Sequence, residues 1–99
     1  MITIKRKKDG ISIKGHANYA PKGQDIVCAS VSVLAQTLIQ SIEELTADRI
    51  EYSMRPGKVK IKYWSLSDAT KSLINSFFIG ANGIAEQYPE FVQVINEAD

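Results

Sequence analysis

The stretch "ISIKGHANYAPKGQDIVCASVSVLAQ", residues 11–36, changes its period midway, and that change decides the fold. In its first part Ile11 and Ile13 alternate with Ser12 and Lys14, the pattern of a strand with one covered face. From Asp25 onward Val27, Val31, Leu34, Leu38, Ile42 and Leu45 recur every three or four residues, the stripe of an amphipathic helix. Asp25 stands at the N-cap, where a carboxylate can accept from the otherwise unpaired first-turn amides. The two periods are joined by a short polar loop carrying Gly23.

Upstream, "MITIKRK" has the same alternation as "ISIKGH", and Asp9-Gly10 between them predicts a hairpin. Downstream, "RIEYSM" and "KVKIKYW" predict a second hairpin about Pro56-Gly57. There Ile50, Tyr52, Met54, Val59, Ile61 and Tyr63 share one face, while lysines dominate the other. "SLSDATKSLINSFFIGANGIAEQYPE" predicts a second helix, with Ser65 and Asp68 as a capping pair at its start.

This second helix has two adjoining apolar stripes, through Leu66, Leu73, Phe77 and Ile84 and through Ile74, Phe78 and Ala85. That is more apolar surface than one contact with a sheet requires, which predicts a homodimer interface on the helix. Gly80 and Gly83 permit close backbone approach there. Pro89 stops the helix, and "FVQVIN" predicts a short closing strand. The expected architecture is α+β: an antiparallel sheet of four to five strands with two helices packed on one face, order ββαββα(β), forming a single domain over residues 1–99.

Composition narrows the function classes. The chain has 99 residues, 44% of them apolar, enough for one core. A net charge of +1 gives no global field for non-specific nucleic-acid binding, so a nucleic acid is not the expected primary ligand. One cysteine and one histidine cannot build a zinc site or an internal disulfide, and neither metal nor cofactor is expected. No apolar run approaches the roughly 20 residues of a membrane span. The basic "KRKK" near the start leads into no signal-peptide segment, so a cytoplasmic protein is expected.

That histidine and that cysteine, His16 and Cys28, stand at the two ends of the loop. The end of a strand and the first turn of a helix, joined by a short loop, are near neighbours, as a thiol nucleophile and its base must be. Helix-start amides favour a thiolate and could hold the oxyanion of a tetrahedral intermediate. Ser32, one turn beyond Cys28, lies on the same side of the helix. The spacing is equally met by plainer roles: a packed thiol at position 28, a solvated histidine in phase with Ser12 and Lys14, Asp25 as a cap alone, Gly15 and Gly23 as turn residues, and Ser32 bonded back to a helix carbonyl.

Gly15-His16, Gly23, the run Asp25-Ile26-Val27-Cys28-Ala29 and Ser32 together resemble the signature of the ribosomal-processing cysteine proteases. The resemblance extends through both hairpins to "IAEQYPEFVQV". It implies a homodimeric cysteine endopeptidase that removes a short N-terminal extension from a large-subunit ribosomal protein, the one numbered twenty-seven, during ribosome assembly. It further implies that Cys28 and His16 form the catalytic dyad, that Ser32, Asp25, Gly15 and Gly23 support the site, and that the loop over 17–24 orders over substrate. Because the family's substrates are cut after paired aromatic residues, Tyr19 is the expected wall of an apolar groove.

Relatives in phages resemble proteases that trim capsid or scaffold proteins, which makes these an alternative substrate. Ser30 and the lysine-rich strands depart from the usual pattern. Lys5, Lys14, Lys58, Lys60 and Lys62 with Trp64 leave a second class open, a non-catalytic RNA- or ribosome-binding module.

Overall fold

The computed structural model describes residues 1–98. Strands β1 (Ile2–Lys7) and β2 (Gly10–Lys14) form the first hairpin, followed by helix α1 (Ile26–Leu45). Strands β3 (Glu51–Arg55) and β4 (Lys58–Lys62), helix α2 (Asp68–Gln87) and strand β5 (Val92–Asn96) complete the chain. The α+β architecture and its order ββαββαβ are as expected, and the closing strand is present.

The sheet itself is mixed. Its order is β3-β4-β2-β1-β5, with β5 parallel to β1 and every other pairing antiparallel. Since β2 and β3 each run antiparallel to β4, they run parallel to one another, so α1 is a crossover between parallel strands. By the same logic α2 joins β4 to β5. A helix laid along the sheet carries the chain back to the end from which it started, and the next strand then runs in the direction of the one before. Residue periodicity has no sense of direction, which is why it predicts no parallel pair.

The turn of the first hairpin is Lys8-Asp9, and Gly10 already pairs with Lys7 on one side and Lys62 on the other. Its role is close approach: a Cβ there would collide with the carbonyl oxygen of Ile61. In the second hairpin Pro56 precedes Gly57 at φ +75°, the conformation of a type II turn.

Both helices bury one side against the sheet. Val27, Ala35 and Ile42 of α1 and Ala81 of α2 have no exposed surface, and Ile4 is equally enclosed between the sheet and the helices. By length and composition α1 is apolar enough to cross a bilayer, which corrects the expectation that no such run exists. Its buried face belongs to the core of this domain. Both apolar stripes of α2 are likewise used internally: Ile74, Phe77 and Phe78 are buried, and Leu73, Ile84 and Ala85 pack against the core, as does Leu66 just before the helix. The surplus that suggested a dimer face therefore serves contacts with α1 and β5. Ile79, 76% exposed, remains outside.

Gly80 lets the helices approach, since a Cβ there would stand 3.0 Å from Leu34 Cδ2, whereas Gly83 faces open space. The N-cap of α2 is Ser67, not the expected Ser65-Asp68 pair; Ser67 Oγ accepts from Thr70 N at 3.4 Å. Asp48 accepts from both the amide and the hydroxyl of Ser67, and the Thr70 hydroxyl foremost, with these two bonds, holds its carboxyl below the usual range. Ser65 lies too far upstream to reach the first-turn amides.

Strand β3 is exposed along its whole length, Tyr52 and Met54 included, because it is the overhanging edge of the sheet. On the face away from the helices, Ser12 lies between Lys5 and Lys60 and is only 3% exposed, covered by the lysine stems. Helix-side Arg6 sits 4.8 Å above the Phe78 ring and donates to Asn75 Oδ1.

Candidate active site

The site grows from the end of β2. Gly15 adopts φ +103° with its amide donating to the Gly57 carbonyl at 2.9 Å, and a Cβ on it would strike the Met1 carbonyl oxygen. This twist ends the strand phase shared with Ser12 and Lys14. His16 therefore leaves the lysine face and turns its ring over Gly57.

Cys28 sits in the first turn of α1, partly buried. The buried Ala17 donates its amide to Cys28 Sγ at 3.4 Å. Asp25 binds this turn to the loop. Its Oδ1 accepts from Val27 N and Cys28 N, both at 3.0 Å, and Oδ2 accepts from Tyr19 N at 3.0 Å. These bonds, foremost that from the Cys28 amide, hold the carboxyl below the usual carboxylate range against a smaller opposing effect of burial. Asp25 is a cap and a loop staple, and among the described residues it makes no hydrogen bond to His16.

His16, Cys28, Gly15, Gly23, Asp25 and Ser32 all line one cleft of about 810 Å³. Ile13, Val31, Ala35 and Val59 contribute apolar surface, and Lys22, Arg55 and Lys58 contribute charge. Among the described residues no hydrogen bond joins the His16 ring to Cys28. Gly23, at φ +88°, turns the loop where a Cβ would meet nothing. Ser30 bonds back to the Ile26 carbonyl at 2.7 Å, away from Cys28.

Two expectations need correction. Tyr19 does not line the cleft: its ring packs edge-on against Tyr88 at 5.5 Å and Phe91 at 5.2 Å, so it anchors the loop to the junction of α2 and β5. The helix-start amides that flank the nucleophile are also committed, those of Val27 and Cys28 to the Asp25 carboxylate and that of Ala29 to the Asp25 carbonyl. These three amides are not free to hold an oxyanion.

Sequence reasoning missed the contribution of the second hairpin. Met54, Arg55, Pro56, Gly57 and Lys58 form a wall of the cleft. Pro56-Gly57 was legible as a turn, but nothing local in it signals contact with His16.

A thiol on a helix start, a lone imidazole and a mostly apolar cleft are what a cysteine peptidase requires. The family model described as "Cysteine protease Prp" matches residues 1–93. The chain belongs to the Prp cysteine protease family. It is accordingly a cysteine peptidase. The ribosomal processing cysteine protease Prp of Mycoplasma genitalium is 32% identical over 100 residues, covering 98% of this chain and 96% of that protein. Its counterpart in Staphylococcus aureus strain Mu50 is 26% identical, covering 89% of this chain and 86% of the relative.

Among solved structures, S. aureus Prp with a covalently linked product peptide superposes with a TM-score of 0.93 at 23% identity, covering 98% of this chain and 100% of that one. SMU.848 from Streptococcus mutans gives 0.82 at 29% identity, covering 99% and 93%. The Prp fold thus covers 98% of this chain.

Proposed function

We propose that this Prp-family peptidase removes a short N-terminal extension from a large-subunit ribosomal protein, the one numbered twenty-seven, during ribosome assembly, with Cys28 as nucleophile and His16 as its acid and base. The observation that carries this reading is that one cleft holds both side chains while the Ala17 amide points at the sulfur. The Cys28 thiolate attacks the scissile carbonyl carbon, forming the S–C bond as the π pair moves to oxygen. Collapse breaks the C–N bond, and the proton held by His16 goes to the leaving amine. Water, deprotonated by His16, then attacks the thioester carbonyl, and the C–S bond breaks to release the acid product and restore the Cys28 thiolate.

The names of the curated relatives support ribosomal processing, and the product peptide bound to S. aureus Prp supports a peptide ligand for this cleft. Gly15, Gly23, Asp25 and Ser32 support the site by shaping the strand end, turning the loop, capping the helix and lining the wall. The enzyme works in the cytoplasm, where its substrate is made. Exposed Ile79 beside the open Gly83 supports a homodimer, and a protein that sediments as a monomer at micromolar concentration removes that part of the reading.

Cleavage of two peptide panels, ribosomal extensions and capsid or scaffold sites, tests the activity and its substrate together. Wild type is expected to cut the ribosomal panel, and Cys28→Ala and His16→Ala to cut neither. Full activity in Cys28→Ala overturns the mechanism. The second reading, a phage maturation protease, draws on the cationic rim of Lys22, Arg55 and Lys58, which favours carboxylate-bearing peptides. Preference for the capsid panel would establish it in place of the first.

A further inference from the structure

We infer that the backbone N–H of Ala17 is the oxyanion donor of this site, an inference that rests on the peptidase mechanism proposed above. An acyl-transfer site needs a donor aimed at the place where the carbonyl oxygen acquires its charge. The amides nearest in sequence to the nucleophile are unavailable, because those of Val27 and Cys28 point into the Asp25 carboxylate and that of Ala29 is taken by the Asp25 carbonyl.

The Ala17 amide has a different environment. Ala17 is 3% exposed, and among the described residues the only acceptor of its N–H is Cys28 Sγ at 3.4 Å. Buried amides are nearly always paired with oxygen, and a thiol sulfur is a weak acceptor. This donor is therefore held in place with most of its hydrogen-bonding capacity unspent.

Attack by Sγ puts the new oxyanion on the carbon bonded to sulfur, hence within about 3 Å of the position at which the amide already points. As the tetrahedral intermediate forms, the N–H exchanges a weak sulfur acceptor for a charged oxygen. The bond strengthens in the transition state and contributes little to the free enzyme, as differential stabilisation requires.

Two residues before this donor the Gly15 amide is anchored on the Gly57 carbonyl, and two residues after it the Tyr19 amide is anchored on Asp25. Base and oxyanion donor thus sit on consecutive residues, His16 lining the cleft with Cys28 and Ala17 buried beside it with its amide on Cys28 Sγ. The capping of α1 by Asp25 is compatible with catalysis because the donor comes from the opposite strand end.

Ala17→Pro deletes the N–H and tests the assignment with two reactions at the same sulfur. Peptide cleavage passes through an oxyanion, whereas alkylation of Cys28 by iodoacetamide does not. Cleavage is expected to fall by about 100-fold or more while alkylation stays within about two-fold of wild type. An equal fall in both means that the amide only positions the thiolate, and unchanged cleavage means that it does nothing; either overturns the inference.

A second measurement avoids any disturbance by proline. In wild type labelled with ¹⁵N, reaction with an aromatic dipeptide trifluoromethyl ketone, which forms an ionised tetrahedral adduct, is expected to move the Ala17 amide proton downfield and leave that of Cys28 in place. Movement of Cys28 without Ala17 overturns the inference while leaving the peptidase reading intact. A wild-type protein that cleaves no peptide and forms no adduct removes both.

Discussion

Gly57 lies directly beneath the His16 ring, so close that a Cβ at position 57 would stand 2.5 Å from Nε2 and 2.9 Å from Cε1. The tip of one hairpin is therefore the platform for the imidazole at the end of another. Gly57 also holds φ +75°, which L side chains rarely adopt.

Gly57→Ala should displace the ring as well as strain the turn. The expected stability loss is about 1 kcal/mol, whereas peptide cleavage should drop about 10-fold or more because the base is misplaced. Thermal melting and steady-state kinetics on the same preparation separate the two effects. A variant that loses stability but keeps full cleavage would show that the platform is not needed.

Asp25 gives a pH dependence with a definite sign. Its folded carboxyl is held low by amide bonds, so its contribution to stability is complete above the ordinary carboxylate range and is lost as pH falls through the lowered folded value. Asp25→Asn, which still offers an oxygen to the Val27 and Cys28 amides, should melt above Asp25→Ala at neutral pH. It should also be less sensitive to acid than wild type, as circular dichroism melts across an acid series will read.

The two glycines of α2 should respond in opposite directions. Gly83→Ala places a methyl in open space and improves helix propensity, with an expected gain of about 0.5–1 kcal/mol in the monomer. Gly80→Val drives a branched side chain into Leu34 and should cost about 1–3 kcal/mol. Urea denaturation of both variants provides the comparison. If Gly83→Ala instead destabilises at high protein concentration only, that face is an interface between copies.

Tyr19→Ala removes two edge-on aromatic contacts, together worth about 1–2 kcal/mol. Since the ring is outside the cleft, any change in peptide cleavage must act through the position of the loop. Amide exchange over residues 17–24 should accelerate, and the loss in kcat/KM should be shared among peptides of different sequence rather than confined to one aromatic position.

The basic face answers a separate question. Lys58, Lys60 and Lys62 with the exposed Trp64 could bind RNA independently of the thiol. Lys60→Glu should leave cleavage of short peptides unchanged. If it abolishes a salt-sensitive RNA affinity that Cys28→Ala retains, the face is a second ligand site; without such affinity in wild type it is only a solvated surface that protects the sheet.

What was legible in the sequence was local. Strand and helix periods, the cap at Asp25, the stop near Pro89 and the proline-glycine turn each depend on residues a few positions apart, and each has its own steric or hydrogen-bonding reason. The motif from Gly15 to Ser32 identified the family for the same reason, since strand end, loop and helix start form one contiguous segment. Tertiary structure decided what depends on elements distant in the chain: the parallel pairing of β5 with β1, the use of both α2 stripes inside the core, the seat of His16 on Gly57, and the diversion of the Tyr19 ring to Tyr88 and Phe91. It also decided which amides near Cys28 remain free, because a hydrogen bond already made to Asp25 is invisible in a pattern of residue types. Periodicity states which side of an element is covered, but the direction of a strand and the partner of a side chain are set only when the layers pack.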